Sequence, residues 1–221
     1  MATILEPKLL TAEEYGQLKD DGRLTELVRG RIVEMNRPFT SHGYHAYRIS
    51  MLLGQFVDQH GLGWIVVGDA GVVTQRDPDT VRGPDVAFYS YQRIPRGQLP
   101  KGYWRSSPEL AIEIRSEDDR WKDVVQKVGE YLSANVLTVA IVDPVPRRVH
   151  LFSADRETMV LNVDDLLTSP DVLPDSIARI RLTTGTNVEL RFGVRSLVKQ
   201  PPHHDFKAGK HVRKCQFVAS V

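Results

Sequence analysis

The first third of the chain alternates between short apolar runs and one long helical stripe. Residues 24–28 and 31–35 read as two strands joined at Arg29-Gly30, which predicts a β-hairpin with Glu26 as an acid among apolar neighbours. Upstream, Thr11-Ala12-Glu13-Glu14 has the spacing of a capping box, predicting a short helix to about Lys19 that Asp21-Gly22 ends. Downstream, Ala46, Ile49, Leu52, Leu53, Phe56 and Val57 recur at intervals of three and four. Ser41 is placed to cap that helix, His42 falls in its first turn, and Gly61 and Gly63 stop it. Residues 64–67 and 71–75 are β-like, and Asp77-Pro78-Asp79 is a turn.

The middle of the chain is richer in buried-type strands. Residues 85–89 and 109–114 read as strands separated by a polar stretch, 91–107, expected as a surface loop. A helix capped by Asp118 or Asp119 should then run to about residue 134. Its apolar face is Trp121, Val124, Val125, Val128 and Leu132, with Tyr131 at one margin. At roughly 100° per residue, Lys127 falls beside Tyr131 on the border of that face, with Arg120 on the same flank. Such a lysine can lay its stem on the core and present its amine to a cleft. Residues 137–142 form a continuous apolar run expected at the centre of a sheet. Strands at 149–152 and 159–161, a turn or short helix at 164–167 and a turn at Leu173-Pro174 complete the pattern, which decays after Leu182. The mixture of strands and helices predicts an α/β fold, a mixed central β-sheet flanked by α-helices.

Composition narrows the class without naming it. A chain of 221 residues is long enough for one domain with a good core. No apolar run is long enough to span a bilayer, and the first residues lack the order of a signal peptide. A single cysteine, Cys215, excludes an intrachain disulfide and fits a reducing cytoplasm. The net charge of +1 argues for no polyanionic partner, but its distribution is uneven. From residue 191 onward, seven basic residues face Asp205 alone, so the end of the chain carries +6 and the remainder −5. That basic tail, residues 183–221, reads either as a nucleic-acid-binding extension or as a poorly ordered end. His203, His204, His211 and Cys215 match no compact zinc spacing.

The chemistry concentrates between Gly83 and Tyr131. An aspartate follows Gly83-Pro84 at the opening of one apolar strand, and Glu113 sits inside the next. Buried carboxylates are costly unless paired or bound to a cation, and two on neighbouring strands form an oxygen-rich site suited to Mg²⁺. Taken singly, Asp85 reads equally as a turn residue, Glu113 as an edge acid and Lys127 as a surface lysine. The ordered set resembles the PD-(D/E)XK nuclease superfamily and, more closely, the Uma-type restriction endonuclease family, over roughly residues 10–182. Pro84-Asp85 matches PD and Glu113-Ile114-Arg115 takes the (D/E)XK position, with arginine in place of lysine. Ser116, Asp123, Lys127 and Tyr131 fit the Uma-type variant, which draws its lysine from the following helix.

The resemblance implies residues 1–182 as a restriction-endonuclease-like domain and a bacterial, cytoplasmic, Mg²⁺-dependent endonuclease that cleaves DNA, with Mn²⁺ as an alternative ion. Asp85 and Glu113 would be the metal ligands, with Lys127 and Glu26 in the catalytic set. Arg115, His42 and Arg120 would contact substrate. Arg115 cannot serve as a base because guanidinium stays protonated. Arg93, Arg96, Lys101 and Arg105, interleaved with Tyr91, Tyr103 and Trp104, suit either a nucleic-acid groove or a loop folded onto the body. A homodimer is compatible with the pattern. The rival expectations are a nuclease fold that only binds nucleic acid and a structural protein whose acids form salt bridges.

Overall fold

The hairpin anticipated near the N-terminus is present. The protein's structure, a computed structural model, describes residues 8–162 and the strand backbone at 167–168, 176–182 and 188–194. Helix α1 (Ala12–Gly16) starts from the expected capping box, with the Thr11 hydroxyl accepting from Glu14 N–H and the Glu14 carboxylate accepting from Thr11 N–H. It ends sooner than Lys19. Strands β1 (Thr25–Val28) and β2 (Arg31–Glu34) pair as the hairpin, with Glu26 directly opposite Val33. Two further strands, β4 (Val72–Gln75) and β5 (Thr80–Arg82), extend this sheet in the order β2-β1-β5-β4. Ala12, Leu27 and Val81 form its small core, and buried Asp79 ties it to α1 by accepting from Ala12 N–H.

The larger sheet has six strands. In chain order they are β3 (Gly63–Val67), β6 (Val86–Ser90), β7 (Leu110–Ile114), β8 (Thr138–Asp143), β9 (Arg148–Ser153) and β10 (Arg156–Leu161). Their order is β10-β9-β8-β7-β6-β3, and β7 and β8 are its parallel pair. Every residue of β8 is buried, as its apolar run predicts. Helix α2 (Thr40–His60) covers one face, packing Ile49, Leu53 and Val57 on Val86, Phe88, Ile112, Ile114, Ala140 and Val142. Helix α3 (Trp121–Ser133) connects β7 to β8 and covers the other face, packing Val128 and Tyr131 on Ala111, Val139 and Ile141. A third sheet joins β11 (Leu167–Thr168), β12 (Ser176–Leu182) and β13 (Val188–Val194) in that order.

Several local expectations change. Ser41 lies inside α2, whose N-cap is Phe39 with no side-chain cap, because the packed apolar face sustains the helix beyond the cap signal. The other end is as expected: Gly61 takes the left-handed conformation, φ +59°, that closes a helix. Neither Asp118 nor Asp119 caps α3. Its N-cap is Arg120, while the Asp119 carboxylate accepts from Ser116 N–H. Tyr131 sits at the centre of the buried face rather than its margin, and Val125 is exposed. The 91–107 loop folds onto the body. The Arg93 guanidinium donates to the carbonyls of Ser107, Pro108 and Asn135, and the Trp104 indole donates to the Arg93 carbonyl. Residues 164–166 and the Leu173-Pro174 turn lie outside the described residues. The 182/183 boundary falls within a hairpin, because β13 pairs with β12 from Ser176↔Val194 to Leu182↔Val188.

Candidate active site

Strand periodicity points the central glutamate at α3. On β7, Leu110, Ile112 and Ile114 face α2 while Ala111 faces α3, so Glu113 emerges on the α3 side beside Ala111. Lys127 and Tyr131, one helical turn apart, meet it there. The Lys127 ammonium lies 3.0 Å from Glu113 Oε1, and the Tyr131 hydroxyl donates to the same oxygen at 2.8 Å. Asp85 immediately precedes β6, the antiparallel neighbour of β7. Its Oδ2 accepts from Ile114 N–H at 2.7 Å and lies 3.4 Å from His42 Nε2, which the first turn of α2 delivers.

The small sheet brings the other acids. Glu26 Oε1 lies 3.1 Å from the Lys127 ammonium and accepts from Gly83 N–H, and Oε2 accepts from the Arg82 guanidinium at 2.7 Å. Arg82 also donates to both oxygens of Glu130 on α3. Asp69, in the β3–β4 turn, approaches Gly83 so closely that a Cβ there would lie 2.6 Å from the Asp69 carbonyl oxygen. Glu26, His42, Asp69, Arg82, Asp85, Glu113 and Lys127 line one cleft of about 880 Å³. Its floor is polar and acidic, and one wall is apolar, formed by Val33 and Met35 with Pro38 and Phe39.

The electrostatics follow from crowding and burial. Burial pushes the Glu113 carboxyl up to about 7, with Asp85 adding repulsion and Lys127 opposing the shift. Asp69 is also raised, by burial first and Asp85 second. Burial disfavours ionised Glu26, but Lys127 and Arg82 outweigh it and hold its carboxyl below the ordinary range. Burial likewise works against the Lys127 charge, and Glu113 and Glu26 overcome it, so the ammonium persists well above its usual range. The hydrogen bond to Asp85 holds His42 toward imidazolium.

The residues expected to act together therefore divide. Glu26, His42, Asp85, Glu113 and Lys127 converge. Arg115 keeps the strand parity of Glu113, yet it pairs with Asp143, donates to the Asp119 carbonyl and lies over the Trp121 ring. Arg120 stands 83% exposed on the cleft rim, paired with Asp123. Sequence reasoning missed Arg82 and Asp69. Arg82 lies in the three-residue strand β5, too short to show a period, and Asp69 lies in a turn whose position depends on Gly83. The Val81-Arg82-Gly83-Pro84-Asp85 run did offer a cation beside the acid.

The mixed six-stranded sheet, with α3 crossing between its parallel strands and the carboxylates at their ends, defines a nuclease-like α/β fold. A structure described as a “putative nuclease belonging to DUF820” from Anabaena variabilis matches it with a TM-score of 0.64 and 19% identity, covering 74% of this chain and 90% of that one. The chain belongs to the Uma2 family, described as “Putative restriction endonuclease”, whose model matches residues 12–184. No curated protein matches the chain. Among the described residues, no helix is long and apolar enough to cross a membrane.

Proposed function

We propose that the protein is a metal-dependent endonuclease that hydrolyses DNA phosphodiester bonds, with Mg²⁺ or Mn²⁺ held by Asp85 and Glu113. The observation that carries this reading is the unbalanced acidity of the cleft floor. There Glu26, Asp69, Asp85 and Glu113 gather about Arg82 and Lys127, with His42 against Asp85. Among the described residues no three Asp, Glu, His or Cys side chains are gathered into a cage. Mg²⁺ does not need one, since it commonly takes one or two carboxylates and completes its shell with water and substrate oxygens. Two carboxylates at adjoining strand ends, Glu113 raised by burial first and by the charge of Asp85 second, fit that requirement.

When bound, the ion would supply Lewis-acid stabilisation of the phosphate charge and an activated water. The protein's own residues do the positioning. Tyr131 fixes the Glu113 carboxylate, and His42 and Ile114 N–H fix that of Asp85. Arg82 neutralises Glu26, which in turn holds Lys127 at the cleft floor. Lys127 would orient the attacking water or contact the scissile phosphate. Arg120, exposed on the rim, would meet the strand beyond it. The enzyme would work in the bacterial cytoplasm.

The test is incubation of the purified protein with plasmid and with single-stranded DNA, with Mg²⁺, Mn²⁺ or EDTA. Cleavage should require the metal and disappear in Asp85→Ala and Glu113→Ala, both of which remain folded. Full activity in either variant, or cleavage undiminished by EDTA, would overturn the assignment. Salt-sensitive DNA binding without cleavage would make the protein a binding relative of the nucleases.

A further inference from the structure

The apolar wall of the cleft has no place in the hydrolytic chemistry. Phe39 is 73% exposed, Val33 40% and Met35 36%, and all three line the cleft. Phe39 occupies the N-cap of α2, where a polar side chain would normally satisfy the first N–H groups, and it makes no such bond. Val33 and Met35 are two residues apart, so they share a face of the hairpin. Register puts Val33 directly opposite Glu26, and Met35 N–H donates to the Leu24 carbonyl beside it. Phe39 stands three residues before His42, which meets Asp85. Both parts of the wall are thus tied at short range to the acids on the floor.

We infer that this wall is a nucleobase platform and that the cleft takes an unpaired DNA strand rather than an intact duplex. The inference rests on the nuclease reading above. Its phosphate would lie at Asp85, Glu113 and Lys127 with an adjoining base against Phe39, Met35 and Val33. A duplex presents phosphates to both sides of a cleft and is gripped by cations on both. Among the described residues that line the cleft on the hairpin side there is one cation, Arg37, whose guanidinium donates to the Gly22 carbonyl. Exposed aromatic and aliphatic side chains instead match the faces of unstacked bases, whatever their sequence. A second copy of the chain is the poorer occupant. The wall is a few side chains inside a concave cleft, whereas a stable interface buries about 800 Å² on each partner.

The experiment measures binding separately from cleavage. Fluorescence anisotropy of a labelled 12-nucleotide single strand and of its duplex is recorded on the full chain with Ca²⁺ in place of Mg²⁺. The single strand should bind about tenfold tighter or more, within the range of base–aromatic stacking. Phe39→Ala should remove most of that preference by weakening the single strand alone, while Phe39→Trp should retain it. An abasic nucleotide scanned along the strand should reproduce the loss at one position. Equal or tighter duplex binding overturns the inference, as does a Phe39→Ala effect that is absent or equal for both DNAs. Conversion of a dimer to a monomer by Phe39→Ala, seen by light scattering, would assign the wall to a second copy instead. With Mg²⁺ or Mn²⁺ supplied, failure to cleave single-stranded as well as plasmid DNA, with the single-strand binding preference intact, would sink the nuclease reading and leave the platform standing.

Discussion

At the scale of single residues, the surroundings of the two cations proposed for the catalytic role differ. Lys127 spans Glu113 and Glu26, whereas Arg115 is committed to buried Asp143. Lys127→Met should therefore lower turnover at saturating DNA by about a hundredfold, the scale of general acid–base or positioning effects. Arg115→Met should keep turnover and lose about 3 kcal/mol of stability, because it strands a buried carboxylate. Normal turnover in Lys127→Met with its loss in Arg115→Met would reverse the assignment. Glu113 gives a second expectation. Its carboxyl rises from 4.5 to about 7 on folding, so the folded state binds the proton more tightly. Stability must then fall as pH climbs through that window and level off above it. Lys127 does not cancel this, since its raised value contributes stability that is lost only above its ordinary range. In EDTA, the melting temperature of Glu113→Gln should gain on the wild type between about pH 4.5 and 7. A constant difference across that range would show that Glu113 is not strained by its surroundings.

At the scale of elements, the site depends on two connections that carry little local signal. The β3–β4 turn brings Asp69 against the β5–β6 connection, and only a glycine at position 83 permits the contact. A Cβ there would also meet the Asp69 Cβ at 2.8 Å, so backbone would have to move. Gly83→Ala should cost about 1–3 kcal/mol, as overpacking does, and weaken Mn²⁺ binding measured by calorimetry, since Asp85 lies two residues on. Unchanged affinity would mean that the Gly83 contact does not set the acid's position. The same distinction explains what could be read beforehand. Glu113 and Lys127 were legible because strand and helix periods fix their faces, whereas Tyr131 was read at the margin of the face whose centre it fills. Asp85 was legible through its proline and the family pattern. Asp69 and Arg82 were not, because a turn and a three-residue strand have no period and their placement comes from packing between sheets. The helix caps at Ser41 and at Asp118 or Asp119 misled for a related reason: tertiary burial of Ile49, Leu53, Val128 and Tyr131 outweighs local capping.

At the scale of the whole molecule, the end of the chain decides what counts as the domain. Periodicity decays after Leu182, and the family match stops at residue 184. Yet β12 is the middle strand of its sheet, and β13 pairs along its full length. β13 also lies against α2, the helix that carries His42 and Phe39 to the cleft. A chain cut after Leu182 would expose an unpaired ladder edge and remove a support of α2. One cut after Val194 keeps the hairpin and still removes most of the basic residues of the tail. The shorter piece should melt about 5 °C or more below the full chain, given that 1 kcal/mol moves a domain of this size by about 2–4 °C. The longer piece should melt with the full chain. If the tail adds DNA affinity, the longer piece should also show a flatter dependence of binding on salt, because fewer phosphate contacts release fewer counterions. Circular dichroism melts of the three chains and a salt titration of DNA binding check both points. Equal melting of the 182-residue piece would place the boundary where the sequence pattern fades and make β13 an accessory strand.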